Sequence, residues 1–435
     1  MTESSERPLT RHFRADGRPL TLKEYVARGG YSALRKVLTG MAPHEVIQVL
    51  VDSKLAGRGG AGFPAGRKWG FVPTEPDWPR PMFLVCNADE MEPGTFKDRI
   101  LMQGNPHQLL EGMAISAYAV GAAVAYLFIR AEYSMPAADM RKAIAEAQAA
   151  GYLGTNILGS GFDLDLRLHM SAGRYICGEA SAMLNALEGE RPIPRHKPPH
   201  QTGSGLWSKP TVVNNVETLC SVPSIVSNGA EWFQHLALSG EGGTKLYTVS
   251  GRVRRPGAWE LPLGTPIREL VEEHAGGMHY GYGLRAVLPG GASTGFVLEK
   301  DLDVRMDDVS LAKVGSRLGT GTVIVLDDKT CPVGMLRNLE QFYAQESCGW
   351  CTPCWQGLHW AQLLLGAIEE GRGTTGDLDL LQWHAELIKP GHTFCDLATG
   401  AMEPLESGLR YFHDDLVEHI NDKHCPYAGS AADVS

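Results

Sequence analysis

Three cysteines, Cys348, Cys351 and Cys354, fall within seven residues in ESCGWCTPCWQG, and a fourth, Cys395, lies 41 residues further on in GHTFCDL. Thiolates are soft ligands. A C-x2-C-x2-C run wraps three corners of an iron–sulfur cubane, and a distant cysteine closes the fourth. Zinc also accepts four thiolates, but it usually takes them as two C-x2-C pairs. The spacing therefore favours [4Fe–4S] over zinc. The other five cysteines, Cys86, Cys177, Cys220, Cys331 and Cys425, show no ligand spacing and read as small buried hydrophobes.

A second candidate is the glycine cluster GRGGAGFPAGRKWG, where Gly57, Gly59, Gly60 and Gly62 formally make G-x-G-x-x-G. A dinucleotide fingerprint needs a strand before it and a helix after it. Here a helix-like segment precedes and Phe63-Pro64 follows, so this is not the standard turn. Bare backbone N–H groups still suit an anion, with Arg58, Arg67 and Lys68 adding positive charge; a plain tight loop is the alternative. The acidic turn Asn87-Ala88-Asp89-Glu90-Met91-Glu92 follows the core strand MFLVCN. Ligands bind at the carboxyl ends of strands in α/β sheets, and these groups could hydrogen-bond ribityl or ribose hydroxyls. A solvated turn is the alternative. Asn214 and Asn215, in TVVNNVETL, either cap the next helix or donate to a bound ligand.

The elements that must position these residues alternate. Residues 20–56 show three- and four-residue apolar spacing and read as helical. Strand MFLVCN, helix 106–122, strand 124–130, helix 135–150 and strand 163–170 continue an α/β order. Residues 191–215 read as a Pro- and Lys-rich loop. The composition shifts near 240, and strands and a short helix make a small α+β unit over roughly 243–328. From about 331 the pattern is helical. The expected division is 1–240, 241–330 and 331–435.

The 435 residues carry 40 Lys+Arg and 50 Asp+Glu, a net charge of −10 that argues against nucleic acid as a partner. The polar N-terminus has no apolar h-region and so reads as no secretory signal. Nine cysteines in a chain this long point to thiolate or metal chemistry in a reducing cytoplasm rather than a disulfide framework. The uncharged 18-residue run Gly112–Ile129 just reaches spanning length, but its Ala and Gly content reads as a buried helix followed by a core strand.

In this order, GRGGAGFPAGRKW, CNADEMEPGTFKDR, GRYICGE, KPTVVNNVETL and ESCGWCTPC resemble the flavoprotein subunit of respiratory complex I. That family comprises the F subunit of bacterial NADH:quinone oxidoreductase and the mitochondrial 51-kDa subunit. The resemblance covers roughly residues 20–425. It implies a Rossmann-like FMN domain, a β-grasp-like domain and a C-terminal helical bundle carrying one [4Fe–4S] cluster. It implies that NADH gives a hydride to FMN, which releases electrons singly to the cluster. FMN is then expected at Gly57, Gly59, Lys68, Asn87, Asp89, Tyr175, Asn214, Asn215 and Thr218. The dinucleotide is expected at Gly60, Phe63, Glu90, Glu92, Glu179 and Lys197, with Phe63 stacking the adenine. Glu92 would stand near the nicotinamide, where its charge tunes flavin potential and product release. Cys348, Cys351, Cys354 and Cys395 match the cluster ligands. The implied partners are a thioredoxin-like [2Fe–2S] subunit of the 24-kDa type and a large multi-cluster subunit, with membrane association only through the complex, on the cytoplasmic side of the inner membrane.

The chain departs from the family at Ala180, where a second Glu usually follows Glu179, and at His200, usually Phe. A carboxylate on the ribose 2′-hydroxyl is how dinucleotide sites reject a 2′-phosphate. Losing it beside Arg195, His196 and Lys197 moves the site toward NADPH; drift in a pocket still specific for NADH is the alternative. Trp355-Gln356 replaces a frequent Arg-acid pair beside the cluster. Rival readings are a diaphorase subunit of an NAD(P)-linked hydrogenase or formate dehydrogenase, and a non-enzymatic binding protein using the 243–328 unit.

Overall fold

A computed structural model describes residues 6–73 and 78–428. Its first sheet is parallel throughout. β1 (Met82–Ala88) lies between β2 (Ala122–Ile129) and β4 (Thr211–Asn215), and β3 (Asp165–Met170) pairs with β2. The order β3-β2-β1-β4 means that the chain steps outward from β1 in one direction and then returns to its other side. The reversal lies between β1 and β4, and the crevice at the carboxyl ends of such strands is where α/β sheets take ligands.

Helices cover the sheet because an all-parallel sheet must bury both faces. The helix Pro106–Val120 is buried on nearly every side. A Cβ at Gly112 would stand 2.0 Å from Leu219 O, so glycine there permits contact with the helix Val216–Asn228. Gly121, at φ +70°, ends the helix and turns the chain into β2. The apolar run Gly112–Ile129 is thus a helix and a strand of one core. Among the described residues no helix is long and apolar enough to cross a membrane.

One expectation fails locally. Residues 191–215, read as loop, end in β4. Thr211, Val212 and Val213 are buried against β1, and pairing with Phe83–Asn87 supplies the ladder that the preceding prolines and lysines concealed.

The second sheet is mixed, ordered β6-β5-β9-β7-β8: β5 (Thr244–Gly251), β6 (Gly257–Pro262), β7 (Leu284–Leu288), β8 (Val297–Leu298) and β9 (Thr322–Asp327). β5 and β9 run parallel, and the other pairs are antiparallel. After it come the helices Pro332–Glu346, Thr352–Glu369, Thr375–Ile388, Asp396–Tyr411 and His413–Asp422. Their apolar faces share a core with Ile176, Ala286, Phe296 and Leu326, which fixes the helical region against the second sheet and the turn before the helix Ala180–Leu187.

Candidate functional site

The glycine cluster is a closed loop. Gly57 N–H donates to Phe63 O at 3.0 Å, and Ala56 bridges Pro64. Gly60 and Gly62 hold φ of +115° and +65°, where a side chain is strained. A Cβ at Gly59 would stand 3.1 Å from Asn215 Cβ, so the loop rests on the end of β4. Thr218 Oγ accepts the Arg58 N–H at 2.9 Å and fastens the loop to the following helix.

The three basic residues of this segment do different things. Arg58 is buried, and its guanidinium donates to Gly242 O and Thr244 O rather than lining the loop. That corrects its reading as a loop cation. Arg67 is exposed, its guanidinium 5.9 Å from the ring of Phe63 and 6.0 Å from that of Phe71. Lys68 donates to Val213 O at 3.1 Å, and burial lowers its pKa. Among the described residues no carboxylate is paired with it. An ammonium held against the end of β4 without an acid suits a phosphate. Phe63 is exposed, leaving an aromatic face for a base to stack on.

At the carboxyl end of β1, Asn87 donates to Gly178 O at 2.9 Å and accepts the Asp89 N–H at 3.1 Å. Asp89 Oδ2 accepts from Ser171 Oγ at 3.0 Å, while its buried Oδ1 has no partner. Burial raises this carboxyl to about 7. An orphaned buried acceptor costs free energy unless a bound hydroxyl meets it, so this atom fits a polyol such as the ribityl chain of a flavin.

Glu90 and Glu92 part company. Glu90 accepts the Asp98 and Arg99 N–H groups and the Tyr133 hydroxyl, capping the helix Lys97–Gly104. Burial raises it to about 7. Glu92 bridges elements far apart in sequence. Its Oε2 accepts from Tyr175 Oη at 2.6 Å and its Oε1 from Ser293 N at 2.7 Å. Burial raises its pKa, the two hydrogen bonds oppose the rise, and Arg317 favours the charged form. Arg317 is itself held by Glu403 at 2.8 Å. Ser293 and Arg317, and Glu403 behind Arg317, carried no local signal, because they come to Glu92 from parts of the chain some two hundred residues or more away.

The Asn pair divides too. Asn214 Oδ1 accepts from Trp69 Nε1 at 3.0 Å. Asn215 caps its helix through Glu217 N and donates to Asp98 Oδ2 at 2.6 Å. Beneath it Lys97 contacts Asp98 at 2.7 Å and Glu217 at 3.0 Å, and Lys245 reaches Glu217 at 3.2 Å. All four charged groups are buried.

Glu179 caps the helix Ala180–Leu187 through Ser181 N and Ala182 N, and its other oxygen meets Lys197 at 3.3 Å. Ala180 is half-buried and His200 exposed. Arg195 is committed elsewhere: to Asn185 Oδ1, Gly205 O and Glu188. It is not a free cation for a 2′-phosphate, contrary to the sequence reading.

Cys348, Cys351, Cys354 and Cys395 gather at one edge of the helical core. Cys351 precedes the helix Thr352–Glu369 and Cys395 the helix Asp396–Tyr411. Burial pushes Cys354 up to about 11 and Cys395 up to about 12, with neighbouring sulfurs adding to both. Clustered thiols so costly to ionise alone fit a cationic metal centre that takes them as thiolates. A single zinc at about 2.3 Å from each sulfur would draw the sulfurs within about 4 Å of one another. Three cysteines close in sequence and one distant one fit the broader cubane instead.

One expectation about the remaining cysteines is corrected. Cys331 and Cys425 are not isolated buried hydrophobes: both are half-buried and meet His419. The chain folds back over some ninety residues to bring them together, so no local spacing announced it.

Family models place these features in known groups. The Nuo51 FMN-binding domain matches residues 50–224, the SLBB domain 246–297, and the NADH-ubiquinone oxidoreductase-F iron-sulfur binding region 334–419. The F subunit of the Escherichia coli (strain K12) NADH-quinone oxidoreductase is 51% identical over 409 residues, 94% of this chain and 92% of its own. The Streptomyces coelicolor F subunit is 44% identical over 420 residues, 97% of this chain and 92% of its own. A chain in the crystal structure of an NAD+-reducing [NiFe]-hydrogenase in the H2-reduced state superposes with a TM-score of 0.78 at 32% identity, covering 94% of this chain and 68% of that one.

Proposed function

The chain belongs to the family of NADH-quinone oxidoreductase F subunits, and from that premise we propose how its residues divide the work. It is the electron-input subunit of complex I, a multi-subunit enzyme, and it oxidises NADH. FMN, when bound, accepts the hydride and passes electrons singly to the [4Fe–4S] cluster, chemistry that belongs to the cofactors. The relatives 51% identical over nearly their whole length favour this reading over a hydrogenase diaphorase, whose 32%-identical chain is longer.

Lys68 and the Gly59 N–H hold the flavin phosphate, and Gly57, whose own N–H is spent on Phe63 O, shapes the loop. Asp89, Asn87, Asn214, Asn215 and Thr218 hold or support its polyol and ring. Tyr175 orients Glu92, which lies beside the nicotinamide and supplies a fixed negative charge. Gly60 leaves room for the dinucleotide, Phe63 stacks the adenine, and Glu179 and Lys197 bind the ribose side. Glu90 acts at one remove, by capping the helix Lys97–Gly104. The single observation that carries this division is the unpartnered, buried Asp89 Oδ1 at the strand-order reversal, next to the strand on which the glycine loop rests.

Cys348, Cys351, Cys354 and Cys395 ligate the cluster. Trp350 and Trp355, exposed beside these ligands, support docking of the [2Fe–2S] partner there, with the multi-cluster subunit next in the chain of carriers. We place the assembly on the cytoplasmic face of the inner membrane. The division into 1–240, 241–330 and 331–435 follows the three groups of elements, and the parallel β5/β9 pair supports a β-grasp-like middle unit. Use of NADPH rests on Ala180, His196, His200 and Lys197, the last shared with Glu179, since Arg195 is engaged.

Anaerobic titration of the FMN-loaded protein with NADH tests the reading. Flavin bleaching followed by the electron paramagnetic resonance signal of a reduced cluster is expected. Full FMN retention in Lys68→Met, or unaltered bleaching in Glu92→Gln, would overturn the roles given to those residues.

A further inference from the structure

Away from the flavin and cluster sites, three side chains from distant positions turn their ligating atoms toward one point. They are Cys331, which caps the helix Pro332–Glu346, His419 in the helix His413–Asp422, and Cys425 in the segment that follows it. Cys331 Sγ, His419 Nε2 and Cys425 Sγ all lie within 4.8 Å of one another. Cys331 Sγ and His419 Nε2 are 3.2 Å apart. None of the three belongs to the set given to the [4Fe–4S] cluster.

The surroundings prepare these atoms for a cation. His419 is fully buried, and its Nδ1 lies 2.6 Å from Asp415 O. A carbonyl oxygen only accepts, so Nδ1 carries the hydrogen and the Nε2 lone pair faces the two sulfurs. That second hydrogen bond is the device that fixes ring and tautomer in metal-ligating histidines. The Tyr427 ring stacks on the imidazole at 6.3 Å, and its hydroxyl donates to Asp415 Oδ1 at 2.6 Å, so the residue holding His419 is itself held. Cys331 Sγ accepts the Gly334 N–H at 3.3 Å at the start of a 15-residue helix. Both cysteines are half-buried, which leaves an entry path for an ion.

We propose that Cys331, His419 and Cys425 bind one zinc ion that fastens the segment after the last helix to the beginning of the helical region. Two thiolates and an imidazole are a zinc donor set, with water in the fourth tetrahedral position. Tetrahedral zinc would set sulfur and nitrogen about 3.6 Å apart, a few tenths of an ångström beyond the Cys331–His419 separation. Binding releases the thiol protons to solvent and changes no oxidation state. The role is structural. This proposal does not depend on the roles given to the flavin-site residues.

The test uses the full chain, untagged, loaded with FMN and iron–sulfur cluster and produced with zinc in the medium. Zinc, iron and flavin are quantified in wild type, Cys425→Ser and Cys331→Ser. We expect about one zinc per chain in the wild type. In both variants zinc should fall at least fivefold, with iron and flavin per chain unchanged. Wild-type zinc absorption spectra should show two sulfur neighbours and the rest nitrogen or oxygen, a reading that stands even where a variant does not fold. Wild-type protein that holds no zinc and takes up none from added Zn2+ overturns the proposal. So does a four-sulfur zinc environment, which would be zinc in the cluster cysteines, or a Cys331–Cys425 disulfide found by mass spectrometry.

Discussion

Tyr175 donates its phenolic hydrogen to Glu92 at 2.6 Å, joining the loop before the helix Ala180–Leu187 to the acidic turn after β1. The bond favours the charged carboxylate against the burial that raises its pKa. Tyr175→Phe removes that support, so the Glu92 pKa rises further. Activity that needs the carboxylate charged is lost as pH falls, and in the variant it is lost at a higher pH. The expected result is an upward shift of the acid limb of kcat/KM for NADH, measured with an artificial electron acceptor, at unchanged flavin content. An unshifted limb would remove Glu92 from the chemistry.

Asp89 makes a second pH signature. Its folded pKa is about 7 against a reference of 3.8, because burial disfavours the charge. An acid whose folded pKa is raised destabilises the fold increasingly as pH climbs from 3.8 to 7 and fully above that. The size is at most about 4 kcal/mol. Asp89→Asn should therefore raise the Tm of the FMN-free chain at pH 8 and leave it nearly unchanged well below pH 4. In the same variant FMN affinity, measured by calorimetry, should fall about tenfold, the worth of one hydrogen bond to a charged acceptor.

Lys97 holds two buried carboxylates, Asp98 and Glu217, beneath Asn215. Lys97→Met leaves them facing each other with only Lys245 as a cation in contact with Glu217. Removing one member of a buried set costs about 3–5 kcal/mol. Denaturant unfolding should show a loss of that order, and a loss below about 1 kcal/mol would mean that water replaces the ammonium.

Cys395 is the cluster ligand furthest from the others in sequence. In Cys395→Ser we expect the cluster signal to be lost or strongly altered while NADH still bleaches the flavin, since none of the hydrogen bonds described at the flavin site involves Cys395. Loss of bleaching as well would show that the cluster region supports the flavin fold.

Ala180 begins a helix whose cap, Glu179, already engages Lys197. A carboxylate here would repel a 2′-phosphate and suit the helix N-terminus. Ala180→Glu is expected to lower the ratio of kcat/KM for NADPH over NADH by about tenfold, roughly one charge contact. An unchanged ratio would mean that packing alone sets the preference.

Much of this was legible in the chain. The strands around MFLVCN, the helix from 106 and the α/β alternation follow from local periodicity, which secondary structure obeys directly. The run Cys348–Cys351–Cys354 was readable because a cluster needs three ligands close in sequence. Side-chain commitments were not readable. Arg195 and Arg58 looked like free cations, and only packing shows the carbonyls and carboxylates that hold them. β4 looked like loop, because a strand is completed by its neighbour's hydrogen bonds and not by its own residues. The contact between Ser293 and Glu92 spans 201 residues, and that of Cys331 with His419 spans 88. By itself the sequence determined which elements form and which residue types they carry, because those depend on neighbours a few positions away. The tertiary structure alone decided which of those residues meet, because that depends on how the sheets and helices bury their apolar faces against one another.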